Sequence, residues 1–179
     1  LARKKLAKMR NYFLKTERLG FSHWQNQDTD LAGSLWGEPT VTKFISANGR
    51  FSKEQIKNRL IQEITTDEQY RVQYWPVFEL HSGEHIGCCG LHPYDSESKI
   101  YEIGYHLKSR YWGKGYATEA AGAVIRYAFD TLEADNLFAG HHPDNTASRN
   151  VLQKLGFTYS HDVFYEPTGL NHPSYFYKS

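Results

Sequence analysis

Cysteine is scarce in this chain. There are two, Cys88 and Cys89, and they are adjacent. Neighbours on a strand point to opposite faces, so a bridge between them is geometrically disfavoured. The pattern predicts free thiols and a reducing, cytoplasmic setting. With no second Cys pair and no His-Glu-x-x-His helix, no metal site is expected. Net charge is nearly absent at +1, which provides no global ground for a nucleic-acid partner. Long hydrophobic runs are missing too. No stretch approaches a membrane span, and no apolar segment follows the N-terminal charges as it would in a signal peptide. Internal repeats, low-complexity tracts and Pro/Gly/Ser linkers do not occur. At 179 residues, the chain suits one domain around one sheet-centred core.

Aromatic residues are abundant, with 13 Tyr, 10 Phe and 4 Trp, too hydrophobic a mixture for a disordered chain. Basic charge gathers at the start, in Arg3, Lys4, Lys5, Lys8, Arg10 and Lys15. Residues 1–12 therefore read as a basic extension, expected to be helical and solvated, with contact to an acidic partner as the sharper alternative. Residues 13–179 read as the domain.

Local patterns set out the elements. A strand is expected over 13–23 and a short helix from Asp28 or Thr29 to Trp36, ended by Gly37-Glu38-Pro39. Ser52 with Gln55 reads as a capping box, and Ile56, Leu60, Ile61 and Ile64 form a helical stripe behind it. Strands over 70–80 and 85–91 are joined by the turn signal Ser82-Gly83. Pro76 places the first of them at an edge or beside a bulge. Residues 100–107 alternate, with Tyr101, Ile103, Tyr105 and Leu107 on one face and Glu102, Gly104 and His106 on the other. From Tyr116 to Phe129 and just beyond, the polar positions Thr118, Gly122, Arg126 and Asp130 recur every fourth residue, as on a helix largely buried against a sheet. A short strand over 136–141, a helix over 146–155 stopped by Gly156, and strands over 157–164 and 174–178 complete the chain. The class is α/β, with a central mixed sheet flanked by helices.

The stretch Arg110-Tyr111-Trp112-Gly113-Lys114-Gly115-Tyr116-Ala117 lies between a strand and the buried helix. Two glycines let the backbone approach a ligand closely, and the helix behind presents free N–H groups and the positive end of its dipole. Phosphate or pyrophosphate suits such a place. A dinucleotide fingerprint needs a third glycine where Thr118 stands, and a P-loop needs Ser or Thr directly after Lys114. A glycine-rich turn without a ligand is the plain alternative.

Arg110-x-x-Gly113-x-Gly115 followed by Tyr116-Ala117-Thr118-Glu119-Ala120 resembles the acetyl-CoA motif of the general N-acetyltransferase (GNAT) superfamily. A second block, Asn145-Thr146-Ala147-Ser148 with Leu152-Gln153-Lys154-Leu155-Gly156-Phe157, resembles the late helix of the same family. The resemblance runs from Lys15 to the C-terminus and is strongest to the Rim-type branch, whose members acetylate protein N-termini or small amines. It implies a single GNAT domain with a mostly antiparallel sheet. It also implies an acetyl-CoA site built from Tyr105, Leu107, Arg110, Trp112, Gly113, Lys114, Gly115, Tyr116, Ala117, Asn145 and Ser148. The implied partners are acetyl-CoA and an amine acceptor; a homodimer is left open.

Acetyl transfer needs an unprotonated amine, a polarised thioester carbonyl and a proton or donor for the leaving thiolate. An α-amine titrates at about 7.7–8.0 and Lys at about 10.4, so an α-amine asks less of the base. The resemblance makes Glu102 the first candidate base, with Glu166 its rival; each is otherwise a structural carboxylate. Ser148 matches a serine that Rim-type members place near the CoA sulfur, but a helix-start serine also caps backbone N–H groups. Asn145 reads as an N-cap, a pantetheine ligand, or both. Leu152 stands where many members carry a Tyr, which leaves the acid open and keeps a non-catalytic acyl-CoA-sensing module as the alternative function. His141 and His142 read as packing residues able to assist proton movement, and Trp24, Tyr74, Trp75 and Phe164 as core or acceptor-pocket aromatics.

Overall fold

The computed structural model describes residues 10–178. Residues 1–9 of the expected basic helix lie outside the described residues. Residues 10–12 run irregularly along the domain, where Arg10 pairs with Asp28 and lies over the Phe78 ring.

Eight strands form one sheet in the order β1-β2-β3-β4-β5-β6-β8-β7. They are β1 (Leu14–Lys15), β2 (Leu19–Phe21), β3 (Tyr74–Glu79), β4 (His85–Asp95), β5 (Ile100–Leu107), β6 (Asn136–Gly140), β7 (Thr158–Tyr165) and β8 (Leu170–Tyr177). Every neighbouring pair is antiparallel except β5 and β6. The helices are α1 (Thr29–Trp36), α2 (Pro39–Thr42), α3 (Lys53–Tyr70), α4 (Tyr116–Asp130) and α5 (Thr146–Leu155). One face of the sheet packs on α4 and α5 through Trp75, Cys89, Leu91, Ala120, Val124 and Leu152. The other packs on α1 to α3 through Tyr74, Cys88, Trp24, Trp36 and Leu60. The adjacent cysteines thus enter opposite cores, both as free thiols, as strand alternation requires.

Three expectations are corrected. The strand expected over 13–23 is a tight hairpin, because Leu19 N donates to the Thr16 hydroxyl and Thr16 N to the Leu19 carbonyl. The strand expected from residue 70 starts at Tyr74, because the capping-box helix keeps its bonding through Tyr70 and stops at Arg71 in the left-handed region. The last strand begins at Leu170, four residues earlier than expected, by pairing with β7 across a tight turn. Pro76 lies inside the sheet, yet its carbonyl accepts from Ser22 N just beyond the end of β2. Its missing donor therefore faces the place where that pairing has ended, and a register shift follows at Val77 and Phe78.

Candidate active site

The glycine turn forms as its sequence demands. Gly113 and Gly115 have φ of 72° and 78°, in the left-handed region that side chains disfavour. A Cβ on Gly113 would meet no atom within 4 Å, so the space above it is open. Gly115 is the N-cap of α4 and offers no side chain, and among the described residues no protein group accepts from the N–H groups of residues 113–118. Six backbone donors at the positive end of a 15-residue helix have the chemistry that could hold a pyrophosphate.

A part-exposed brace holds that turn. Glu119, one turn into α4, accepts from the Thr16 hydroxyl at 2.6 Å, Arg18 N at 3.0 Å and Arg18 Nε at 2.6 Å. Arg18 Nη1 also donates to the Lys114 carbonyl at 3.0 Å, and its guanidinium lies over the Tyr116 ring. Burial would raise the Glu119 carboxyl pKa, but hydrogen bonds from Thr16 and Arg18 outweigh it and hold it below the usual range.

The β5–β6 ladder is short. It pairs Ile100 with Asn136, Tyr101 with Leu137 and Glu102 with Phe138, and ends there. Beyond Glu102 the two strands keep only their outer neighbours, and two cavities occupy the opening. The first, about 330 Å³, runs from Tyr105 and Leu107 beneath the glycine turn to α5. The second, about 380 Å³, holds Glu102, Tyr74 and His92 and is walled by β6 to β8. Phe44, Tyr105, His106, Asn145 and Ser148 line both.

Most expected cofactor residues line the first cavity: Tyr105, Leu107, Trp112, Gly113 and Gly115, then Tyr116, Ala117, Asn145 and Ser148. Arg110 and Lys114 do not. Arg110 is exposed, 3.7 Å from Glu84 and over the Tyr111 ring; Lys114 is exposed and lies over the same ring. Asn145 is the N-cap of α5, its side-chain oxygen accepting from Ser148 N at 3.1 Å. The Ser148 hydroxyl is therefore not the cap. It lies 3.1 Å from the Tyr105 hydroxyl, which also donates to the Ser148 carbonyl at 3.2 Å. Burial pushes the Tyr105 phenol well up, so it stays protonated.

Glu102 is half-buried at the point where the strands part. Burial raises its pKa, against the opposing pull of His92, Arg59 and the hydrogen-bonding Tyr74 side chain. Behind it lies a network whose ionisable members Glu63, Arg59 and His92 were not singled out from the sequence. Glu63 on α3 is fully buried and accepts from Arg59 Nε at 2.9 Å and Tyr74 N at 2.8 Å. His92 Nε2 lies 3.0 Å from both Glu63 oxygens, with its ring stacked on Tyr74 at 3.8 Å and 7°. Burial would raise the Glu63 pKa, but Arg59 and then His92 outweigh it and hold it low. Removing one partner of such a pair costs ~3–5 kcal/mol, because a charge is left buried alone.

Glu166 lies in the exposed turn between β7 and β8 and lines neither cavity. Leu152 is buried and reaches the second cavity. His141 bonds the His142 carbonyl at 2.7 Å and the Tyr175 hydroxyl at 3.2 Å, and burial lowers its pKa. Of the four aromatics named for an acceptor pocket, only Tyr74 lines it. Trp75 follows Tyr74 on the strand and so points into the opposite core, Trp24 packs on Trp36, and Phe164 alternates outward between Val163 and Tyr165. The wall of the first cavity made by Thr40 and Val41 of α2 and by Phe44 in the turn after it was missed because the sequence signals only a break there. Both thiols are fully buried and pushed far up by burial, which leaves no nucleophilic thiolate.

The acetyltransferase (GNAT) domain family matches residues 18–158, and the chain belongs to that family. It is an N-acetyltransferase, and enzymes of this family use acetyl-CoA. An uncharacterized N-acetyltransferase, p20 of Bacillus licheniformis, is 32% identical over 146 residues, covering 80% of this chain and 81% of that one. The FsC-acetyl coenzyme A-N(2)-transacetylase of Aspergillus fumigatus is 35% identical over 161 residues, covering 84% and 67%. Among solved structures, a Rim-type ribosomal-protein alanine acetyltransferase from Vibrio fischeri superposes with a TM-score of 0.73 at 19% identity, covering 92% and 94%, a likeness of fold alone. Among the described residues no helix is long and apolar enough to cross a membrane.

Proposed function

We propose that the chain transfers an acetyl group from acetyl-CoA to a primary amine by direct attack in a ternary complex. The observation that carries this reading is the meeting of two cavities at Tyr105, Asn145 and Ser148, one beneath the free amides of the glycine turn and the other holding Glu102. A thioester and an amine entering from opposite sides meet at that junction, which is the proximity such a reaction requires. Glu102 takes the amine proton as the nitrogen–acetyl bond forms; the carbon–sulfur bond breaks, and the thiolate receives a proton from the Tyr105–Ser148 pair. The raised pKa of Glu102 suits a base that works near neutrality. In this reading Tyr105 does the work of the tyrosine that Leu152 replaces. Glu166, exposed and outside both cavities, has no part in it. The name of the Aspergillus relative, which describes N(2)-transacetylation, supports an amine acceptor.

The Leu152 position favours one second reading, an acyl-CoA-sensing module without turnover. An acceptor panel with acetyl-CoA separates the two. It includes peptides beginning with Ala or Ser, lysine and small-molecule amines, read by release of free CoA thiol. The enzyme reading expects amine-dependent thiol release with at least one acceptor; CoA binding without release across the panel defeats it.

A further inference from the structure

Glu102 has a neighbour that the proposed transfer does not use. His92 of β4 lies directly opposite Glu102 of β5 in their antiparallel ladder. Residues so opposed put their side chains on one face of the sheet, about 5 Å apart at Cβ. Both line the second cavity.

The His92 ring is fixed from two directions. Its Nε2 lies 3.0 Å from both oxygens of Glu63. A carboxylate only accepts, so the proton sits on Nε2 and points at Glu63. The face of the ring stacks on Tyr74 at 3.8 Å and 7°. Tyr74 N donates to the same carboxylate at 2.8 Å, and Arg59 Nε does so at 2.9 Å. Glu63 is fully buried on α3, so one immobile carboxylate sets both the orientation of the imidazole and the nitrogen that carries its proton.

The charges around Glu102 give that orientation a purpose. His92 faces it from β4, Tyr74 from β3, Arg59 and Glu63 from α3, and Tyr165 from β7. Arg59 is the only permanent cation among them, and Glu63 already holds it. Two carboxylates thus share one guanidinium. The other imidazoles of the cavity do not meet a carboxylate. Burial lowers the pKa of His106 to about 3 and also lowers His141 and His172. His142 turns its Nδ1 to accept from Asp144 N at 3.1 Å. His92 is therefore the only imidazole lining the cavity that is hydrogen-bonded to a carboxylate among the described residues. Burial drives the Glu102 pKa up, and His92 pulls it down more strongly than Arg59 or Tyr74 does.

Resting on the reading of Glu102 as the base, we propose that His92 is its positioning residue, an electrostatic partner oriented by Glu63 that keeps the Glu102 carboxylate available for the amine proton. Helix α3 then acts on the transfer through Glu63 without touching the acetyl group.

The test compares the native CoA-loaded protein with two variants. His92→Gln keeps a donor within reach of Glu63 but has no charge. His92→Phe keeps a ring against Tyr74 but has neither nitrogen. Carboxyl carbon NMR follows the titration of Glu102, whose signal is identified by its loss in Glu102→Gln. The pH profile of kcat/KM, for the acceptor of highest turnover in the panel, follows its use. In both variants the Glu102 midpoint is expected to rise by about one pH unit, and the acid limb of the profile with it. The KM for acetyl-CoA should stay within about twofold. A ring that served only as packing would leave the midpoint of His92→Phe in place. The native protein provides a check that needs no substitution, since the His92 ring signals should shift across the pH range where Glu102 titrates. An unmoved or lowered midpoint in either folded variant overturns the proposal, as do native His92 signals indifferent to the Glu102 titration. A midpoint that rises while the acid limb stays in place would support the pairing and defeat the reading of Glu102 as the base.

Discussion

The Tyr74 ring lies across Gly104 so closely that a Cβ at residue 104 would overlap its Cζ and hydroxyl oxygen. Gly104 shares a face of β5 with Glu102, two residues upstream. The glycine is required here by close approach, since its φ does not lie in the left-handed region. The stacked His92, held by Glu63, packs on the face of the ring. Tyr74 is thereby kept beside Glu102, and in the proposed mechanism it is a positioning residue.

Gly104→Ala tests that relationship. The added methyl must displace the ring, so stability should fall by about 1–3 kcal/mol in urea unfolding. The kcat should fall by about tenfold or more, while the KM for acetyl-CoA stays within about twofold, because the glycine turn is untouched. A variant with unchanged kcat would show that Tyr74 does not need its present place.

Glu102→Gln should lower kcat/KM for the acceptor by ~10²–10⁴-fold at neutral pH. The loss should shrink as pH rises and the amine deprotonates unaided. In the native protein, burial raises the Glu102 pKa, so the acid limb of the pH–rate profile should lie above the ordinary Glu value of about 4.3. The sign for stability is opposite to that for activity. A carboxyl raised on folding adds stability below its unfolded pKa and loses it as pH rises through the folded value. Glu102→Gln should therefore melt no lower, and at neutral pH higher, than the native protein. A pH-independent defect, measured across the acid limb, would move the base elsewhere.

Ser148→Ala and Tyr105→Phe remove the two hydroxyls at the junction. Each should lower kcat without rescue at high pH, because the missing group serves the departing sulfur and not the amine. Asn145 carries the cap, so Ser148→Ala should leave helix α5 intact by circular dichroism. Full activity in both single variants and in the double variant would mean that the thiolate leaves unassisted.

Changes at the glycine turn should separate the ligand from the fold. Gly113→Ala places a methyl in open space at a φ of 72° and should weaken CoA by about tenfold or more in calorimetry, with a stability loss of about 1–2 kcal/mol. Arg18→Ala removes a side chain that does not itself line the cavity, loosening the brace to Glu119 and the Lys114 carbonyl and the packing on the Tyr116 ring. It should also weaken CoA binding, by a smaller factor. CoA affinity unchanged in folded Gly113→Ala would remove the turn from the binding site.

What the sequence alone determined is what short-range chemistry encodes. The Ser52–Gln55 capping box, the left-handed Gly156 stop, the alternation over 100–107 and the period of α4 each depend on residues within a turn or two of one another. The glycine turn was legible for the same reason, since its conformation and free N–H groups arise inside six residues. Tertiary structure decided where long-range partners meet. The Arg18–Glu119 brace spans 101 residues and the Tyr105–Ser148 contact spans 43, and neither leaves a local signal in the chain. The end of the β5–β6 ladder at Glu102 is likewise a matter of register between strands. That register placed Glu102 where the two strands part, beside the second cavity, while the pairing of β7 with β8 left Glu166 on an outer turn. Local bonding selects an element, but only the packing of distant strands and helices brings side chains to a common point.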